Sequence, residues 1–113
     1  MAQVRYSDSA SIDVIVALKT IQRYFIEKES PELGEKHISL FKAELKDAER
    51  TLAAHPELYP IRKEYSPSRY GRMYRSFAIH WFIVFYTYSP TEGVIIWYIR
   101  PAKSDYSNII LLP

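Results

Sequence analysis

The stretch MYRSFAIHWFIVFYTY, residues 73–88, runs sixteen positions without glycine or proline and consists mainly of aromatic and branched side chains. Such residues fit the pleated surface of a sheet. Sixteen positions far exceed the ~5–6 residues of a common strand, so the stretch predicts two strands that break near Ile79 and His80. His80 is the expected turn residue, because His enters the left-handed region more readily than most residues. In the second half both alternating sets are apolar, with Trp81, Ile83 and Phe85 on one side and Phe82, Val84, Tyr86 and Tyr88 on the other. A strand that is apolar on both faces is buried on both.

Downstream, Ser89-Pro90-Thr91-Glu92-Gly93 reads as a hairpin loop in which Gly93 is free to take positive φ. Val94 to Ile99 is a second strand with two apolar sets, stopped by Pro101, and Ile109 to Leu112 is either a short strand or a tail. Upstream, residues 61–72 are polar and interrupted by Pro67 and Gly71, which marks a loop or an irregular edge strand. Before that loop the period changes to a helical one. His37, Phe41, Leu45, Ala48 and Leu52 form one stripe of a helix that starts near Pro31 and stops before His55-Pro56. Val14, Leu18, Ile21 and Phe25 form the stripe of an earlier helix, for which Ser7-Asp8-Ser9 offers N-cap side chains. Val4 and Tyr6 alternate with polar neighbours as a short first strand.

This order predicts a single α+β domain over residues 1–113: a short N-terminal strand, then a helical hairpin packed on one face of a small antiparallel sheet. The hairpin can cover only one face. The other must be covered by the C-terminal tail, a second copy or a partner chain.

Composition narrows the function class. No apolar run is long enough to span a membrane, the first residues carry no apolar signal region, and cysteine is absent. A cytoplasmic protein without disulfides or thiolate chemistry is expected. Charge is uneven: residues 1–58 hold eight basic against ten acidic side chains, whereas residues 59–113 hold seven against three. A basic half favours polyanions or acidic partners.

No phosphate-loop spacing or metal-ligand spacing is present, so no cofactor and no metal are expected. His37 lies on a core stripe, His55 at a helix end, and His80 is a turn residue or an acid–base group. The cluster Tyr70, Arg72, Tyr74 and Arg75, followed by Arg100, Lys103, Asp105 and Tyr106, is more suggestive. Pairing of the two strands would bring these groups together, where arginines grip phosphates and aromatic faces stack bases. A solvated basic rim is the plainer reading. Cleavage of a phosphodiester would also need a base, for which only Asp105 and His80 lie nearby.

The opening Val4-Arg5-Tyr6-Ser7 with Ala10 and Asp13, the later Arg75-Ser76-Phe77 and Ile83-Val84-Phe85-Tyr86, and the closing Arg100-Pro101-Ala102-Lys103-Ser104-Asp105-Tyr106 resemble the RelE/ParE superfamily of type II toxin–antitoxin toxins. The resemblance covers nearly the whole chain and is nearer to ParE-like members. Phe82 stands where RelE-type messenger-RNA nucleases usually have an arginine.

The resemblance implies a growth-arresting toxin that is neutralised by a cognate antitoxin. A ParE-like member would inhibit DNA gyrase by binding, without catalysis, through Tyr74, Arg75, Arg100, Lys103 and Asp105. A RelE-like member would be an endoribonuclease acting on ribosome-bound mRNA with Arg72, Arg75, Arg100, Lys103 and Tyr106. Antitoxin contacts are expected at Trp81, Phe82, Tyr86 and Trp97. A non-toxic homodimeric binding module is the third reading.

Overall fold

In a computed structural model, which describes residues 1–66, 68 and 71–102, the elements follow the expected order. Strand β1 spans Val4–Tyr6, helix α1 Asp8–Glu27 and helix α2 Pro31–Ala54, followed by a 3-10 turn at Lys63–Tyr65. Strands β2 (Arg75–Ile79), β3 (Phe82–Ser89) and β4 (Gly93–Pro101) complete the sheet, in the order β1-β4-β3-β2. Strands β2, β3 and β4 are antiparallel, as expected. β1 lies parallel to β4, from Val4↔Val94 to Tyr6↔Ile96, so the four-stranded sheet is mixed.

Local chemistry sets the helix ends. The Ser7 hydroxyl accepts from the Ala10 amide at 3.0 Å and caps α1. Pro31 opens α2, and His55 closes it with an amide bonded to the Thr51 carbonyl. Ala17, Ile21 and Phe25 of α1 and Phe41, Leu45 and Leu52 of α2 bury against Phe77, Phe82, Val84, Tyr86, Val94 and Ile96 of the sheet. Phe41 is fully buried and meets Phe82 edge-on at 5.3 Å. Each such large side chain contributes roughly 1.5–3 kcal/mol through burial.

The break in the long stretch falls at His80-Trp81, with Ile79 paired to Phe82 across the turn. The left-handed residue there is Trp81, at φ 70, rather than His80. Gly93 takes φ 72, as the hairpin loop requires.

The second sheet face is covered in part by the chain itself. The segment between α2 and β2 lays Tyr65 edge-on against Phe85 at 5.7 Å, and Tyr74 meets Phe85 at 6.4 Å and Tyr98 at 6.1 Å. These residues form a second, smaller core that Ile83 and Trp97 flank. The proposed strand or tail at Ile109 to Leu112 lies outside the described residues.

A bulge decides what the second face displays. Phe85 pairs with Tyr98 and Tyr86 with Ile96, so Trp97 is an extra residue in β4. An extra residue shifts the alternation by one. Trp97 and Tyr98 therefore both join the Phe85 side, while Ile96 and Ile99 stay under the helices.

Candidate functional site

The second face gathers its polar groups around the bulge. The Arg72 guanidinium stacks on the Trp97 ring, 3.4 Å from its centre, and Arg72 Nη1 donates to the Tyr74 hydroxyl at 3.3 Å. Trp97 is fixed on its other edge, where Nε1 donates to Thr87 Oγ1 at 2.8 Å. Ser7 Oγ donates to the Trp97 carbonyl at 2.9 Å while also capping α1, so the helix start is latched to the bulge. The pair is worth roughly 0.5–2 kcal/mol as a cation–π contact, and it holds the guanidinium flat against the ring.

Arg100 stands beside this pair. Its guanidinium lies 4.9 Å from the centre of Tyr98, and its Nε is 3.2 Å from Asp13 Oδ2. The same carboxylate oxygen accepts the Ile99 amide at 2.9 Å. β1 pairs with β4 only as far as Ile96, so beyond it Asp13 of α1 takes the place of a strand partner. Arg100 Nε has no aligned hydrogen bond, and its contact with Asp13 is one of charge. Burial raises the Asp13 carboxyl above its usual range, against the opposing pull of the Ile99 amide and Arg100.

Ser7, Asp8, Arg72, Trp97, Tyr98 and Arg100 line a cleft of about 470 Å³. Two permanent cations and two flat rings thus share one opening. The arrangement suits an acidic or phosphate-bearing surface. Tyr74 lies beneath it, fully buried, and burial with Tyr98 nearby pushes its hydroxyl up to about 12. It therefore buttresses Arg72 from within, although it was expected to meet the target.

Of the predicted basic cluster, Arg72 and Arg100 converge and Arg75 does not. Arg75 Nη1 donates to the carbonyls of Tyr59 at 2.6 Å and Glu57 at 3.3 Å, and Tyr59 stacks on Phe77 on the helix side. Strand alternation sends Tyr74 and Arg75 to opposite faces. Arg62 was missed: its Nη1 donates to Ser76 on the second face at 2.6 Å, and it pairs with Glu64. Tyr70, Lys103, Asp105 and Tyr106 lie outside the described residues.

The four expected antitoxin contacts divide. Trp97 belongs to the cleft. Phe82 and Tyr86 are 3% and 0% exposed beneath the helices, so neither offers a surface. Tyr86 also donates its hydroxyl to the Pro56 carbonyl at 2.9 Å. The Phe82 position, read as a lost nuclease charge, is therefore a core position packed against Phe41.

Trp81 stands at the β2–β3 turn, among Tyr24 and Phe25 of α1, His37 of α2 and its neighbour His80. His37 Nδ1 and His80 Nε2 are 2.6 Å apart, and His80 Nδ1 lies 3.5 Å from Glu44. The two histidines read separately from sequence thus form one structural pair, on the helix side of the sheet. Among the described residues no three His, Cys, Asp or Glu side chains are placed to hold a metal. No helix there is long and apolar enough to cross a membrane.

Comparison with known proteins agrees with this architecture. Residues 5–106 match the family model described as ParE toxin of type II toxin-antitoxin system, parDE. A solved structure titled "Chromosomal ParDE TA system from P. aeruginosa" is similar in fold, with a TM-score of 0.59 and 14% identity over 91% of this chain and 98% of that one. No curated protein matches the chain in sequence. The family match spans nearly the whole molecule, from β1 through the sheet whose bulge carries Trp97, and the chain belongs to the ParE toxin family of type II toxin–antitoxin systems.

Proposed function

We propose that this toxin arrests growth in the cytoplasm by binding DNA gyrase through the Arg72–Trp97–Arg100 face, without breaking a bond itself. The observation that carries this reading is a set of cations and rings fixed in place, with Asp8 the single carboxylate among the described residues that line their cleft. Tyr74 is buried with its proton held tightly, Asp13 is engaged by Ile99 and Arg100, and His80 is on the helix side with His37. A face built this way is better suited to recognising an acidic surface than to activating a nucleophile. In this reading Lys103 and Asp105, which lie outside the described residues, also take part in target binding. A cognate antitoxin neutralises the toxin by laying an extended segment over Trp97 and screening the two arginines.

The alternative nuclease would act on ribosome-bound mRNA with Arg72, Arg75, Arg100, Lys103 and Tyr106, and the course of Arg75 toward the opposite, helix side of the sheet disfavours it. Expression without a neighbouring antitoxin gene should halt growth, and the purified chain should inhibit gyrase supercoiling. Unimpaired growth would sink the toxic reading. Message cut on ribosomes with supercoiling untouched would replace gyrase with mRNA as the target.

A further inference from the structure

Helix α1 carries a second apolar stripe, on the side away from its core. Ile12, Ile15 and Val16 are 60%, 54% and 53% exposed and stand at i, i+3 and i+4, so they form one contiguous patch. Single exposed aliphatics need no explanation; three side by side on one helix face offer a small apolar surface, whose meaning rests on the charges that flank it. The flanks of the patch are charged in a particular order: Asp8 precedes it, and Lys19 and Arg23 follow it on the same stripe.

We propose that this stripe is a self-association surface, with a second copy of the chain packed on it in antiparallel fashion. A two-fold axis between Ile15 and Val16 lays Ile15 of one copy against Val16 of the second. The same axis brings Asp8 of one copy opposite Arg23 of the second, because each lies seven residues from the axis pair. Lys19 falls opposite Ile12, where its aliphatic stem extends the apolar strip and its ammonium reaches water. The acid-first, base-last order is what antiparallel self-pairing requires. A parallel pairing would set like charges against each other.

The strip is about 22 Å long and about 10 Å wide. It is well below the ~800 Å² per partner of a stable interface, so the association should be weak. The helices lie between this surface and the sheet, and Asp8, at the N-terminal end of the strip, is its one residue that also lines the Arg72–Trp97 cleft, so the arginines and rings stay open in both copies. The dimer would present two target faces pointing apart. This inference does not depend on what the cleft binds.

Sedimentation equilibrium of the full chain tests it, from a few micromolar to several hundred. The expected result is a concentration-dependent rise from monomer toward dimer. Ile15→Glu should weaken it about tenfold or more by burying a charge, and Arg23→Glu by roughly 3–10-fold through repulsion of Asp8. Adding Asp8→Lys to Arg23→Glu should restore most of the loss, with circular dichroism confirming that each variant is folded. As the native chain has no cysteine, Ile15→Cys supplies a second reading, in which oxidation should yield a covalent dimer near the axis. A chain that stays monomeric throughout, a dimer indifferent to Ile15→Glu, or a charge reversal that the second reversal leaves unrepaired would each overturn the proposal.

Discussion

Arg72 and Trp97 are held face to face at 3.4 Å although they come from a loop and a strand that the sequence separates by 25 positions. A second ring joins the contact because β4 carries one residue too many. Without the bulge, strict alternation from Ile96 would keep Trp97 on the second face but send Tyr98 back toward the helices, and the ring that underlies Arg100 would be lost. Thr87 and Ser7 then fix the indole and its carbonyl, so the platform is set before any partner arrives.

Replacing Arg72 separates charge from geometry. Arg72→Ala should weaken target binding about 10–100-fold, the usual loss for an anchoring arginine. Arg72→Lys keeps the charge but gives up the flat stack on Trp97 and the fork that reaches Tyr74, so it should recover only part of that loss. Titration of each variant against gyrase, with growth arrest as the cellular readout, checks the order. Full activity in Arg72→Lys would mean that charge alone matters and that the platform is incidental.

Asp13 gives the stability of the chain an acid-range pH dependence. Burial raises its folded-state pKa above that of the unfolded chain, so the folded state binds the proton more tightly. The stabilising contribution is then complete below the unfolded pKa and is lost as pH rises through the folded one. Relative to Asp13→Asn, the native chain should become less stable as pH climbs through the acid range, and the difference should level off above it. Urea denaturation of both proteins at a series of pH values measures this, and a native chain that instead gains stability over Asp13→Asn as pH rises would show that Arg100 and the Ile99 amide outweigh burial.

The helices were legible because their stripes repeat with a helical period, and Phe25, Phe41 and Leu52 are buried as that period requires. The strand break was legible from length alone. Arg75 departs from the expected cluster because it is adjacent to Tyr74, and neighbouring strand residues face opposite ways. The bulge left no trace in the sequence, because Trp97 and Tyr98 are both aromatic and satisfy either register. Asp13 offered a faint signal: a carboxylate between the two apolar sides of α1, beside Val14. The His37–His80 pair joins residues 43 positions apart and could not be read from spacing.

Two glycines with the same backbone conformation should respond differently to alanine. Gly71 and Gly93 sit at φ 82 and 72, so each Gly→Ala change meets the left-handed penalty of roughly 1 kcal/mol. At Gly71 nothing lies within 4 Å of the new Cβ, whereas at Gly93 it would come 2.7 Å from the Gln3 carbonyl oxygen. That oxygen accepts the Val94 amide, so it cannot retreat without loosening β1 from β4. Gly93→Ala should therefore cost at least about 1 kcal/mol more than Gly71→Ala, as chemical denaturation would show. Equal losses would mean that the start of β1 yields freely.

Trp81 is the position where strain and packing oppose each other most directly. A non-glycine residue at φ 70 costs about 1–2 kcal/mol. The cost is offset by contacts with Tyr24 at 5.3 Å, Phe25 at 5.6 Å, His37 at 5.4 Å and His80 at 5.6 Å. Trp81→Ala loses the contacts and keeps the strain; Trp81→Gly loses the contacts and releases it. Both should destabilise, but the glycine variant should be the more stable of the two by about 1 kcal/mol, reversing the order normally seen within a strand or helix. Thermal melts of the pair decide it: an alanine variant that melts higher would mean the turn relaxes to negative φ once the ring is gone, and that the aromatic stack, rather than the two-residue turn, imposes the left-handed backbone.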